Sequence, residues 1–157
     1  MKKIYLKKDE DRRIKAGHLW IFSNEIDTQK VSLKDFRPGE DVQIFTHAGN
    51  FLASGYINPR SLISVRILSR KPEYSFPELL ASRIAEAGAL REEIFSAPYF
   101  RMVFAESDFL PGLIVDRFQD ILSVQLTTAG MDARKDLIER SLLDQTGARA
   151  IIWKNDL

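Results

Sequence analysis

The sequence predicts an α+β chain in two modules: a small β-barrel, then an α+β domain with a mostly antiparallel sheet and two helices. Three observations carry that expectation. Short strand-like runs recur at near-regular spacing through the first 70 or so residues, which implies closure into a barrel because closure removes exposed edges. Beyond them, strand-like runs are flanked by two longer helical patterns. The charge also changes sign along the chain. Residues 1–72 hold 14 Lys and Arg against 8 Asp and Glu, and residues 73–157 hold 9 against 14, within a whole-chain net charge of +1. Pro72 and Pro77 bracket Glu73-Tyr74-Ser75 at the crossover. Proline restricts itself and the residue before it, so this stretch reads as a linker between domains 1–72 and 73–157.

The first module opens with a strand at Ile4–Leu6 and a helical turn at Glu10–Ala16, which Gly17 is placed to end in the left-handed conformation. A loop then runs to the turn signal Pro38-Gly39. Three strand-like runs follow at residues 42–45, 51–57 and 62–68, joined by the turns His47-Ala48-Gly49-Asn50 and Asn58-Pro59-Arg60-Ser61. In the second module, residues 75–95 carry Leu79, Leu80, Ile84, Ala87, Leu90 and Ile94 at helical spacing, and Ser75 with Glu78 matches a capping box. Strands are expected at 100–104, 113–118 and 121–127, the last two joined by Gln119-Asp120. Asp132 opens a helix with Leu137, Ile138, Leu142 and Leu143 inward, and Gly147 closes it. Ala150-Ile151-Ile152-Trp153 reads as a buried-type strand. Its position near the last residue fits either a sheet whose remaining neighbours are missing or an ordinary C-terminal edge strand.

Composition narrows the function. Hydrophobic residues make up 45% and charged residues 29%, which is a globular balance. No apolar run approaches the ~18 residues of a membrane span, and Lys7-Lys8 interrupts the N-terminus too early for a signal peptide. The expectation is a cytoplasmic protein without membrane association. With no cysteine and two histidines, His18 and His47, thiol nucleophiles, disulfides and ordinary zinc sites are excluded. The basic first module is the candidate polyanion binder, since lysine and arginine gain affinity by releasing counterions from phosphates.

Two constellations bear on chemistry. Arg12, Arg13 and Lys15 place three cations in about one helical turn, directly before Gly17-His18-Leu19-Trp20-Ile21-Phe22-Ser23. Guanidinium groups grip phosphates, and His and Trp offer planar faces to an unstacked base. The plainer reading makes Trp20, beside Ile21 and Phe22, part of the core. In the second constellation, Glu106, Asp108 and Asp116 flank the Pro111-Gly112 turn. Converging carboxylates support acid–base chemistry or hold a hard cation. Their plainer reading is structural, with Glu106 and Asp108 capping a turn and Asp116 pairing with Arg101 or Arg117. The glycines are few and dispersed, with no dinucleotide or phosphate-loop pattern.

Residues 17–23, Gly-His-Leu-Trp-Ile-Phe-Ser, resemble the G-H-P-W-[VI]-F-S opening of the PUA domain of bacterial large-subunit rRNA cytosine-5 methyltransferases. Glu106-Ser107-Asp108-Phe109-Leu110-Pro111-Gly112-Leu113-Ile114-Val115-Asp116-Arg117-Phe118 resembles that family's E-S-D-G-L-P-G-L-x-V-D-R-[FY] block in its central domain. Gln125–Met131 is similar to the Q-x-x-[ST]-A-G segment that follows. Three positions depart from the pattern: Leu19 stands for proline, and Phe109 and Gln119 stand for glycines. The resemblance implies a PUA-like barrel over 1–72, a central α+β domain over 73–157, and ribosomal RNA as partner. Taken with the basic helical turn, it makes Arg12, Arg13, Lys15 and Arg60 the expected grips on RNA and His18 a stacking surface. The central-domain motif falls on Glu106, Ser107, Asp108, Pro111, Gly112, Asp116 and Arg117. Members of this family continue into a Rossmann-like domain that binds S-adenosylmethionine and carries a catalytic cysteine.

Attack on cytosine needs a thiolate and a flipped base, and this sequence has no cysteine. The expectation is therefore the RNA-binding portion of a methyltransferase, truncated before its catalytic domain, with no catalytic residue, cofactor or metal of its own. Two other readings stand beside it. One is a divalent-metal enzyme built on Glu106, Asp108 and Asp116. The other is an interaction module that dimerises through the strand at 151–153.

Overall fold

The computed structural model describes residues 1–154; the end expected for the second domain at Leu157 lies outside them. The chain forms two compact units, Met1–Tyr74 and one beginning at Ser75.

The first unit comprises β1 (Lys2–Tyr5), α1 (Arg12–Lys15), β2 (Trp20–Phe22), β3 (Glu40–Phe45), β4 (Phe51–Ile57) and β5 (Ile63–Ser69). Its sheet has the order β1-β3-β4-β5-β2. β1 runs parallel to β3, and the other neighbours are antiparallel. A bridge between Leu6 and Ile26 joins the segments that follow the two edge strands. The Lys7 N–H donates to the Glu25 carbonyl at 2.9 Å, and the Asp27 N–H donates to Tyr5 at 2.8 Å. The edges are thus tied together, as the strand spacing predicts. Ile4, Ile14, Ile21, Ile44, Ile57 and Val65 fill the interior, β-branched side chains that suit a pleated, buried surface.

β2 is a strand where the sequence reading has a loop. It is three residues long, and its register on β5 shifts between Ile21 and Phe22, so no alternation marks it. Cross-strand partners share a face. Trp20, Arg66, Tyr56 and Asp41 therefore form one row across β2, β5, β4 and β3, on the opposite side from Ile21, Val65 and Ile57. The segment after β5 is fastened to this outer side. The Ser54 hydroxyl donates to the Lys71 carbonyl at 2.9 Å and the Gln43 amide to that of Pro72 at 2.9 Å. The Tyr74 hydroxyl donates to an Asp41 oxygen at 3.1 Å.

The second unit holds α2 (Phe76–Ile94), β6 (Tyr99–Phe104), β7 (Leu113–Phe118), β8 (Ile121–Leu126), α3 (Ala129–Asp132), α4 (Lys135–Thr146) and β9 (Ala150–Trp153). Its sheet order is β6-β7-β8-β9. The first two pairings are antiparallel, and β9 returns parallel to β8. Ser75 caps α2, its hydroxyl accepting the Glu78 N–H at 3.4 Å. Leu80, Ile84, Ala87 and Gly88 are buried, whereas Leu90 and Ile94 lie exposed despite continuing the apolar spacing. A 19-residue helix is ~28 Å long, while the six-residue strand β6 is ~20 Å, so the helix outruns the strand beneath it.

The helix expected to open at Asp132 is in fact two. α3 is capped by Thr128, whose hydroxyl accepts the Met131 N–H at 3.4 Å, and non-helical backbone at Arg134 separates it from α4. β9 is not the buried strand its composition predicts. Ala150 and Ile152 are exposed, and Ile151 and Trp153 are half-buried. It is an edge strand, with a neighbour on one side only among the described residues. The architecture is α+β with mostly antiparallel sheets, and two of the four α-helices among the described residues are single turns.

Candidate nucleic-acid interface

α1 is a single turn whose Ile14 is anchored in the barrel core, which leaves Arg12, Arg13 and Lys15 on its outer sides. They differ in how they are held. The Arg12 side chain is 81% exposed and meets Asp9 at 3.7 Å. Lys15 is hydrogen-bonded to Asp11, and that bond holds the Asp11 carboxyl below its ordinary range. Arg13 is structural. Its Nη1 donates to Glu25 Oε1 at 2.7 Å, and its guanidinium stands 5.1 Å from the Phe22 ring centroid. Glu25 is buried, and its second oxygen accepts the Phe22 N–H at 2.6 Å. Arg13 thus ties α1 to the turn after β2. Arg13→Ala is expected to lower stability by about 2 kcal/mol, the scale of a charged hydrogen bond to a buried group, whereas Arg12→Ala stays within about 0.5 kcal/mol. Urea denaturation of the two variants checks this; equal midpoints would contradict it.

Gly17, at φ 103°, turns the chain out of α1, as its position predicts. His18 follows, exposed, and its carbonyl accepts Arg70 Nη2 at 3.4 Å. Arg60 is exposed in the turn between β4 and β5, where its N–H donates to Asn58 Oδ1 at 3.2 Å. That turn lies toward the other end of β2, where the Ser23 N–H meets the Leu62 carbonyl at 2.9 Å. Arg12, Lys15 and His18 are therefore gathered at one end of β2, with Arg60 set apart from them.

Trp20 corrects the core assignment made from its apolar neighbours. It is 36% exposed on the outer face, and the Arg66 guanidinium lies 5.7 Å from its ring centroid. Sequence reasoning also missed Arg66 and Arg70, because only the pairing of β5 with β2 brings them beside Trp20 and His18. Arg70 is exposed as a residue, yet partial desolvation pulls its guanidinium pKa below the arginine value. The group still stays charged at neutral pH.

The acidic motif is otherwise employed. Asp108 accepts two hydrogen bonds from Arg91, at 2.6 and 2.7 Å, and a third from the Phe104 N–H at 2.6 Å. Asp116 pairs with Arg101 across β6 and β7 at 2.8 and 3.2 Å, and this hydrogen bonding raises the Arg101 pKa. Arg117 reaches Glu92 at 3.1 Å. Glu106 and Ser107 lie in the 3₁₀ turn Ala105–Asp108, where the Glu106 carbonyl accepts the Phe109 N–H at 3.1 Å. Pro111 and Gly112 are buried, and Gly112 accepts the Thr127 N–H at 2.9 Å. Among the described residues no cluster of three or more His, Asp or Glu could hold a metal. The metal-enzyme reading is corrected accordingly, since Asp108 and Asp116 are neutralised by arginines rather than turned toward a common point.

Phe109 and Gln119, which stand where the resembling family has glycine, both adopt left-handed backbone, at φ 57° and 56°. Phe109 is 56% exposed, its carbonyl accepts Arg83 Nη1, and the Arg83 guanidinium lies 5.8 Å from its ring.

The βαβ crossover from β8 to β9 enters its helices through Thr127-Thr128-Ala129-Gly130. Gly130 at that entry is buried, and the first helical turn is capped by Thr128. No glycine-rich cradle faces solvent there.

Residues 4–70 match the PUA-like domain family. Nearly the whole chain is similar to part of bacterial proteins named ribosomal RNA large subunit methyltransferase I. It is 37% identical to that of Aliivibrio fischeri strain MJ11 over 147 residues, which is 90% of this chain and 36% of the relative. It is 34% identical to that of Vibrio cholerae over 143 residues, 89% of this chain and 35% of the relative. The chain thus spans a little over a third of the length of these relatives. A solved Streptococcus mutans structure assigned as a SAM-dependent methyltransferase shares the fold. It has a TM-score of 0.81 at 14% identity, over 98% of this chain and 41% of that one. A second, assigned as a methyltransferase and complexed with SAH, has a TM-score of 0.82 over 98% of this chain and 40% of that one. No helix among the described residues is long and apolar enough to cross a membrane.

Proposed function

We propose that the first unit binds structured ribosomal RNA and that the chain positions this RNA for methylation at cytosine C5 by an active site outside the described residues. The observation that carries the reading is the coincidence of the PUA-like barrel with the exposed cations Arg12, Lys15 and Arg60 and with His18. Similarity to proteins named as rRNA methyltransferases supports ribosomal RNA as the class of ligand. Arg12, Lys15 and Arg60 contact phosphates, and His18 lies against a base or sugar. Arg13 acts indirectly, by holding α1 in place. The second unit, whose motif acids Asp108 and Asp116 pair with Arg91 and Arg101, is a spacer.

The test is filter binding of a large-subunit rRNA fragment across a salt series. Affinity is expected to fall linearly on logarithmic axes. Arg12→Ala with Lys15→Ala should flatten the slope by about 2, one for each lost phosphate contact, without altering the melting temperature. An unchanged slope and affinity would remove α1 from the interface.

A further inference from the structure

The outer face of β2 and β5 carries a feature that a phosphate-gripping surface does not require. Trp20 is the one exposed aromatic side chain of the first unit. Large aromatics are normally buried in a domain this size, because each contributes strongly to the core. The position is well supported: Trp20 lies opposite Arg66, which lies opposite Tyr56, and Tyr56 is only 1% exposed. The ring therefore projects from the strand ladder itself, and its neighbour rests on a packed residue. Arg66 stands over the ring at 5.7 Å, the geometry of a cation–π contact. Four residues along from Arg66, Arg70 reaches the backbone of His18. Among the described residues Arg70 has no carboxylate partner.

We propose that Trp20, with Arg66, is a stacking platform for one unpaired RNA base, and that Arg70 takes the phosphate next to it. The inference rests on the RNA-binding reading above and narrows it. Charge complementarity selects a polyanion, and an exposed indole beside a guanidinium selects a ligand with a free π-face. A fully paired duplex has no such face to offer, because its bases are stacked on one another. The ligand is therefore a bulged, looped or single-stranded nucleotide. Stacking discriminates little among bases, so the platform registers that a base is unpaired rather than which base it is.

The experiment uses the chain's two tryptophans, Trp20 and Trp153. In a Trp153→Phe background the indole emission reports position 20 alone. A ten-nucleotide oligouridine is expected to quench that emission saturably, and a paired duplex of equal length to bind without quenching it. In parallel, Trp20→Ala should weaken oligouridine binding about tenfold or more with an unchanged salt slope, and Arg70→Gln should reduce the slope by about 1. The emission measurement needs no substitution at position 20, so a Trp20→Ala chain that failed to fold would leave the test intact. Oligouridine bound with unaltered emission would overturn the platform while leaving the RNA-binding reading standing. A chain that bound neither oligouridine, duplex nor rRNA fragment would overturn both.

Discussion

Asp108→Ala is expected to destabilise the second unit by about 3 kcal/mol or more, the scale for removing one partner of a buried ion pair. The Arg91 and Asp108 side chains are 14% and 9% exposed, and two hydrogen bonds link them. Truncation leaves the Arg91 guanidinium half-buried without its counter-charge and orphans the Phe104 N–H as well. The loss should appear as a lowered urea midpoint with an unchanged slope. Asp116→Ala offers the contrast. Its partner Arg101 has a side chain 45% exposed, so the same deletion should cost about 1 kcal/mol at most. Equal effects at the two positions would contradict the account of Asp108 as the post that fixes the motif turn to α2.

Gly55→Ala should disrupt the barrel more severely than its size implies. Gly55 lies in β4 opposite Ile67, beside a register shift against β5. A Cβ added there would stand 2.0 Å from the Arg66 carbonyl oxygen and 2.9 Å from the Ile67 Cα. Both obstacles are backbone, so no side chain can swing away, and the strands must separate. Overpacking of this kind costs about 3 kcal/mol or more, a large part of the stability of a small unit. Loss of the first unit's cooperative melting transition in Gly55→Ala checks it. A variant that melted like the parent would show that β4 and β5 do not approach as described. The same approach seats Arg66, so the close packing that one methyl would break is also what holds the platform beside Trp20.

Much of this architecture is legible in the residues. The strands at 51–57, 113–118 and 150–153 announce themselves by composition and by the turns around them, and α2 by its cap and apolar spacing. What is hidden depends on partners distant in sequence. β2 is too short and irregular for its alternation to be read, so the side on which Trp20 emerges follows only from its pairing with β5. The Asp116 partner is one of the two arginines that spacing offers, because Arg101 sits opposite on the neighbouring strand. The Asp108 partner is not among them, since Arg91 comes from a helix that ends before β6 begins. Leu90 and Ile94 show the converse failure, an apolar period that continues beyond the strand it could cover.

The candidate interface divides in the same way. Clustered cations at 12–15 are visible as sequence, but spacing does not reveal that Arg13 is spent on buried Glu25 while Arg12 stays exposed beside Asp9. Arg66 and Arg70 look like ordinary strand-face charges until β2 is laid against them. The left-handed backbone at Phe109 and Gln119 is foreshadowed by the glycines of the resembling family, yet here both positions carry side chains at some conformational cost.

The account is tested most directly by locating bound RNA on the chain. Photo-cross-linking of a 4-thiouridine-substituted large-subunit rRNA fragment to the intact protein, followed by peptide mapping, is predicted to mark peptides spanning residues 12–20 and 60–70. Cross-links confined to residues after Ser75 would contradict it.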